Sequence, residues 1–139
     1  MKQFPNRTKF KKYHLPKASF LHLHEQKVFF PAYGNFALKS LDAARLTFKQ
    51  IEAGRKSIRR SVQKAGILSI RVFPYAPLTK KPNSRMGKGK GAHDIWVCPI
   101  KAGQIVYELG GLSANKSRMA LFKAGHKLPV RTSVISLIY

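Results

Sequence analysis

The sequence predicts a single α+β domain spanning 1–139, and three observations predict it. Two stretches, 47–65 and 113–127, repeat apolar residues at helical spacing behind a hydroxyl residue suited to cap a helix. Around them lie short β-branched or aromatic runs bounded by Gly and Pro, which read as strands. Hydrophobic residues make up 44% of the 139-residue chain, enough for one core at this length and too many for a disordered basic tail.

Taken in order, residues 2–17 carry Lys2, Arg7, Lys9, Lys11, Lys12 and Lys17 with Phe4, Phe10, Tyr13 and His14 between them and no acid. This predicts an extended basic arm over 1–26, whose aromatic rings stack on exposed bases while its cations follow phosphates. The run 27–40, KVFFPAYGNFALKS, holds two strand-like pieces separated by Pro31 and by Gly34-Asn35, which predicts a hairpin or two strands. Thr47 and Gln50 have the spacing of a capping box. Behind them Ile51, Gly54, Ile58, Val62 and Ala65 share one helical face, and Gly66 is the expected stop. Arg55, Lys56, Arg59, Arg60 and Lys64 lie off that stripe with only Glu52 among them as an acid, whereas a merely solvated face mixes signs.

Residues 67–73, ILSIRVF, predict a strand with Leu68, Ile70 and Val72 on one side and Arg71 on the other. From 74 to 91 the prolines Pro74, Pro77 and Pro82 and the glycines Gly87, Gly89 and Gly91 predict a long exposed loop without regular structure, made basic by Lys80, Lys81, Arg85, Lys88 and Lys90. Strands are expected at 95–98 and 104–109, joined as a hairpin through Lys101-Ala102-Gly103 and closed by Gly110-Gly111. Ser113 is the expected cap of a second helix to about Lys127, with Ala114, Leu121, Ala124 and Leu128 near one face. An alternating strand from Arg131 to Ile138 follows Pro129.

Charge narrows the function. Lys and Arg total 27 against 5 acids, a formal net charge of +22 and far more than solubility requires. A compact body with that charge repels itself until a polyanion arrives, and a phosphate backbone is the fitting one. Enzyme chemistry finds little support. Alternating Gly and Lys at 87–91 matches neither a Walker loop nor a dinucleotide fingerprint, although it lets backbone and cations approach phosphate closely. Ser84, Asp94 and His126 lack the glycine pattern and second acid of a catalytic triad. His22 and His24 have no partner pair for a zinc site, so neither a metal nor a cofactor is expected. Cys98 is the one cysteine, which excludes an internal disulfide framework and fits a reducing compartment. No apolar run is long enough to cross a membrane as a helix. A cationic DNA-compacting or membrane-active protein would share the charge without the ordered motifs that follow, and a nucleic-acid-processing enzyme would need more placed acids.

Those motifs are Arg7-Thr8-Lys9-Phe10, Leu46-Thr47 leading to Ile51-Glu52-Ala53, Ile70-Arg71-Val72-Phe73-Pro74, Arg85-Met86-Gly87-Lys88-Gly89-Lys90-Gly91, and His126-Lys127-Leu128-Pro129. In this order they resemble the bacterial-type large-subunit ribosomal protein sixteen family. The resemblance implies an α/β-hammerhead-type fold, two helices packed on a mainly antiparallel sheet, and a structural role without catalysis. It further implies binding to large-subunit ribosomal RNA beside the aminoacyl-tRNA site, entry late in subunit assembly, and neighbouring large-subunit proteins as partners, with no membrane and no homo-oligomer. Under it, Arg7, Lys9, Lys11, Lys12, Arg55, Lys56, Arg59, Arg60, Lys64 and Arg71 are the candidate ribosomal-RNA contacts. The loop from Leu78 to Gly91 points towards the acceptor arm of the A-site tRNA through Lys80, Lys81, Arg85, Met86, Gly87, Lys88, Gly89, Lys90 and Gly91.

Two segments depart from the family pattern: the Gly- and Arg-rich stretch after the arm is here Leu15 to His24, and Ser113-Ala114-Asn115-Lys116 opens the second helix without its usual acids. Because the motifs begin almost at Met1, a cleavable presequence is not expected. The departures favour a copy made inside mitochondria, acting on ribosomes of the mitochondrial matrix, over a bacterial cytoplasmic or plastid stromal protein.

Overall fold

The computed structural model describes residues 2–12, 14–15, 30–63, 65–83 and 87–137. Among these, seven strands and two helices alternate as β1 (Phe36–Ser40), β2 (Ala44–Thr47), α1 (Phe48–Val62), β3 (Ile67–Ile70), β4 (Ala76–Lys80), β5 (Ala92–Ile100), β6 (Ile105–Gly110), α2 (Ala114–Gly125) and β7 (Thr132–Ser136). The strands form two antiparallel sheets, one ordered β3-β6-β1-β7 and the other β2-β5-β4. The α+β class expected from sequence is thus observed, with two sheets where one was expected. The helices pack on each other, α2 also against β1, β6 and β7, and α1 against β2 and β5. One core joins these layers, built from residues such as Leu38, Leu46, Ile51, Ile58, Ile100, Tyr107, Leu109 and Leu121.

The first helix follows its local signals closely. The Thr47 hydroxyl accepts from Gln50 N at 3.4 Å while the Gln50 side chain accepts from Thr47 N at 2.9 Å, closing the capping box. Ile51, Gly54, Ile58 and Val62 are its buried residues. Its end differs from expectation. Gln63 adopts the left-handed conformation (φ 49°) and stops the helix, so Ala65 falls outside it and is exposed. Gly66 (φ 70°) instead makes the turn into β3, where a Cβ would press on the Gly110 carbonyl and the Leu112 side chain.

Other expectations are corrected as well. The piece 30–35 is not a strand, and β1 pairs with β6 and β7 rather than with a preceding hairpin arm; residues 27–29 lie outside the described ones. Strand β3 stops at Ile70; Arg71 still donates its N–H to the Val106 carbonyl of β6 at 3.0 Å, and Val72 reaches the core. The two strands around Lys101-Ala102-Gly103 do not form a hairpin: β5 and β6 belong to different sheets, and the turn is a corner that passes the chain between them. The region 74–91 is not wholly loop. Strand β4 runs through it with Pro77 opposite Trp96, and Pro74, Ala76 and Pro77 are buried. Proline is tolerated there because β4 is an edge strand, with one side free of ladder bonds. The second helix ends at Gly125, two residues short of the expected limit, and exposes Ala114 while burying Ser117, Ala120, Leu121 and Ala124. Strand β7 covers Thr132–Ser136 of the expected 131–138, and Ile138 lies outside the described residues.

Candidate nucleic-acid interface

The two helices are held at fixed heights by small residues and one tyrosine. Tyr107 of β6 is fully buried and donates its hydroxyl proton to the Ile51 carbonyl of α1 at 2.7 Å. A Cβ at Gly54 would overlap that hydroxyl, so the glycine is what lets α1 come down onto the strand. Gly125 of α2 does the same against the Thr132 side chain of β7. Burial of the Tyr107 hydroxyl pushes its pKa far above the usual tyrosine value.

With both helices so placed, their outer ridges face each other across a groove of about 560 Å³. Lys56 and Arg60 line it from α1, Lys123 from α2 and Lys127 from just beyond it, with His126 and the hydroxyl residues Ser57 and Ser61 between. Among the described residues no acid lines the groove. Lys56 and Arg60 stand four residues apart on α1, a spacing at which like charges destabilise a helix. Lys123 with Lys127 adds a second like-charged pair at and just past the end of α2. Two such pairs facing across one groove therefore repel until an anion enters between them. Serine hydroxyls on the floor add neutral hydrogen-bond donors for phosphate oxygens.

Of the other sequence-predicted residues, Arg7, Lys9, Lys11 and Lys12 are exposed along the arm, and Lys9 sits over the Phe10 ring at 5.5 Å. Arg59 is half-buried on α1. Arg55 is engaged by Glu52 through two hydrogen bonds of 2.6 and 2.8 Å. That contact holds the Glu52 carboxyl below its ordinary value and the Arg55 guanidinium above its own. Arg71 lies 2.6 Å from the fully buried Glu108 and 5.0 Å from the Tyr33 ring centroid, which gives it a structural task. Lys64, Arg85 and Met86 lie outside the described residues.

The basic loop is a narrower feature than expected, an excursion over 81–91 from the β4–β5 ladder. Lys81, Lys88 and Lys90 are exposed on it and Lys80 at the end of β4, and Lys81 Nζ donates to the Gly87 carbonyl at 2.9 Å, tying its two described flanks together. Gly91 closes its neck, since a Cβ there would overlap the Lys80 carbonyl, whereas Gly87 and Gly89 stand in open space. Within the protein itself only Gly91 makes a close backbone approach.

Sequence reasoning found the α1 side of the groove and missed the α2 side. The signal was present in Lys123 and Lys127, four apart at the end of a helix, but nothing local says which helix they face. Among the described residues no three His, Cys, Asp or Glu side chains gather where a metal could bind, and no helix is long and apolar enough to cross a membrane.

Known proteins resemble this chain along nearly its whole length. Residues 5–135 match the family model described as ribosomal protein L16p/L10e. The chain is 46% identical over 132 residues to the large ribosomal subunit protein uL16 of Psychrobacter arcticus, covering 94% of each. It is 42% identical over 134 residues to uL16c of Aneura mirabilis, covering 96% of each, and 39% identical over 132 residues to uL16c of Coffea arabica, covering 94% of this chain and 96% of that one.

Proposed function

Because this chain belongs to the ribosomal protein L16p/L10e family, we propose that it serves the large ribosomal subunit by holding ribosomal RNA in the α1–α2 groove and along its N-terminal arm. It is a structural component of the ribosome, not an enzyme, and its partners are ribosomal RNA and other ribosomal proteins. The observation that carries the RNA reading is the groove itself: four cations converge from two helices with no acid among them. Such a lining matches a turn of phosphate backbone better than a protein surface of mixed sign.

The test is binding of the protein to large-subunit RNA over a salt series. Neutralising six to ten phosphates should lower affinity by roughly three to five decades between about 50 and 200 mM salt. A flat response would assign binding to base contacts or apolar packing instead.

The finer reading puts this contact beside the aminoacyl-tRNA site, with the protein joining late in assembly and the 81–91 excursion reaching the A-site tRNA. Its support is the family's arrangement together with a neck closed by Gly91 and exposed lysines on the described residues either side of it. A mitochondrial ribosome is the favoured location, on the strength of the lost family pattern at Leu15 to His24 and at Ser113 to Lys116. Organelle fractionation decides between it and the bacterial or plastid ribosomes in which the relatives named above work.

A further inference from the structure

We propose that a cleft between the arm, the start of α1 and the middle of β5 captures one unstacked guanine of the RNA, with Asp94 reading its edge. This rests on the RNA-binding function proposed above and adds a mode of recognition to it.

The cleft has a volume of about 270 Å³, and Phe4, Phe48, Ile95 and Trp96 give it apolar and aromatic walls, with Lys49 and Asp94 among its polar residues. That size suits a single planar heterocycle rather than a larger ligand. Phe4 is 55% exposed and Ile95 40% exposed, so neither is consumed by the core. The Trp96 ring is backed by His93, with centroids 4.7 Å apart.

Asp94 holds its position through a break in the ladder. Leu78 pairs with Ile95 and the next residue, Thr79, pairs with His93, which leaves Asp94 as the additional residue of a β-bulge. Bulges re-aim a side chain that regular alternation would send elsewhere. Asp94 is also electrostatically singular. Asp42, Glu52 and Glu108 are each paired with an arginine, whereas Asp94 has no side-chain partner among the described residues.

An exposed carboxylate with no side-chain partner among the described residues, on a chain carrying +22, is a poor neighbour for phosphate but is itself unneutralised there. It is a good acceptor for a base. Guanine presents two adjacent donors, N1–H and the N2 amino group, to the two carboxylate oxygens, while the other bases present one donor beside an acceptor or between two. Stacking between aromatic rings holds the base, and Lys49 supplies a charge for a flanking phosphate.

The chain's one tryptophan lies in the cleft, so its fluorescence reports occupancy directly. The full-length protein would be titrated with labelled eleven-nucleotide oligouridines carrying a central guanosine, adenosine, uridine or abasic site, following label anisotropy and Trp96 emission together. The guanosine oligomer should quench Trp96 and bind about tenfold more tightly than the adenosine one. Asp94→Asn should abolish that preference without changing affinity for the all-uridine oligomer. Phe4→Ala, which removes a wall and leaves the core intact, should weaken the quenching.

Equal anisotropy curves for guanosine and abasic oligomers, with Trp96 emission unmoved, would overturn base capture while leaving RNA binding intact. Equal quenching by every base would overturn the role of Asp94. Quenching by large-subunit proteins stripped of RNA, with none from any oligomer, would make the cleft a protein contact. Failure to bind any oligomer even at low salt would overturn the underlying RNA reading as well.

Discussion

Arg71 and Glu108 are bound across a gap in the chain, with Nη1 of the arginine 2.6 Å from a carboxylate that has no solvent exposure. The same carboxylate accepts from the backbone N–H of Ala32 at 3.0 Å and of Tyr33 at 2.6 Å. Glu108 and its neighbour Tyr107 point to opposite sides of β6, as alternation along a strand requires. On one side Tyr107 seats α1, and on the other Glu108 clasps the segment that leads from the arm into β1. A single strand thereby fixes the groove-lining helix α1 and the segment that leads into β1 together. Gly34 completes the clasp, lying so close to the Leu109 backbone that a Cβ would meet it at 2.7 Å.

Breaking this clasp should cost stability. Arg71→Met leaves a buried carboxylate with backbone donors alone, and about 2 kcal/mol of destabilisation is expected, below the range for a fully enclosed pair because Arg71 remains partly solvated. Urea midpoints of the two proteins measure it. Unchanged stability beside weakened RNA binding would show that Arg71 serves the RNA, the role its position in the sequence first suggested.

Tyr107→Phe removes the hydroxyl bonded to Ile51 and should cost about 1 kcal/mol near neutral pH. Burial raises the tyrosine's pKa in the folded state, so the unfolded chain ionises first, at about pH 10. Stability that depends on the protonated hydroxyl is therefore complete below pH 10 and is lost as pH rises above it. The advantage of the native protein over Tyr107→Phe should close by about pH 11, a loss of roughly 1 kcal/mol. A constant difference from pH 8 to 11 would mean the hydroxyl is not held in the core.

These two residues also show what the sequence disclosed and what it withheld. The capping box of Thr47 and Gln50 and the stripe from Ile51 to Val62 are local, each decided within a few residues, and both are present where sequence placed them. Partnership is not local. The runs at 95–98 and 104–109 mark strands but say nothing about which sheet each joins, and the turn between them serves a corner as well as a hairpin. Arg71 read as a free cation because its acid stands 37 positions away. The prolines of 74–82 were read as breaking a ladder, when Pro77 needed only an edge. The α2 half of the groove stayed hidden for the same reason, since Lys123 and Lys127 acquire meaning only when α1 lies opposite.

The groove makes a prediction that separates its two helices from the paired arginine beside them. Lys123→Ala with Lys127→Ala should reduce the slope of log affinity against log salt by about 1.4 to 1.8 if each contacts one phosphate. Folding stability at low salt should hold or rise, because repulsion is relieved. Arg55→Ala should change the slope less, since Glu52 already takes its guanidinium. Equal slopes for all three proteins would remove the groove from the RNA interface.

The excursion between β4 and β5 gives the last prediction, and the structure changes how it must be tested. Removing 74–91 as one loop would delete β4, whose Ala76 and Pro77 are buried and whose ladder to β5 supports the second sheet. Loss of assembly would then report a broken fold. The cut that isolates the proposed adaptor role removes 82–90 and keeps Lys80 and Gly91, the pair that forms the neck. If the excursion is an adaptor for tRNA, this shortened protein should enter large subunits at close to normal levels and fail in peptide synthesis. Arg85→Ala should show the same pattern more weakly, and Arg85→Lys should restore little, because a planar guanidinium grips phosphate through two hydrogen bonds or stacks on a base where an ammonium does neither. Subunit incorporation by gradient sedimentation and peptide synthesis by reporter translation, measured on the same preparations, distinguish the outcomes. Normal synthesis in both variants would end the adaptor reading. Failed incorporation of the 82–90 deletion, with β4 intact, would make the excursion an anchor on ribosomal RNA instead.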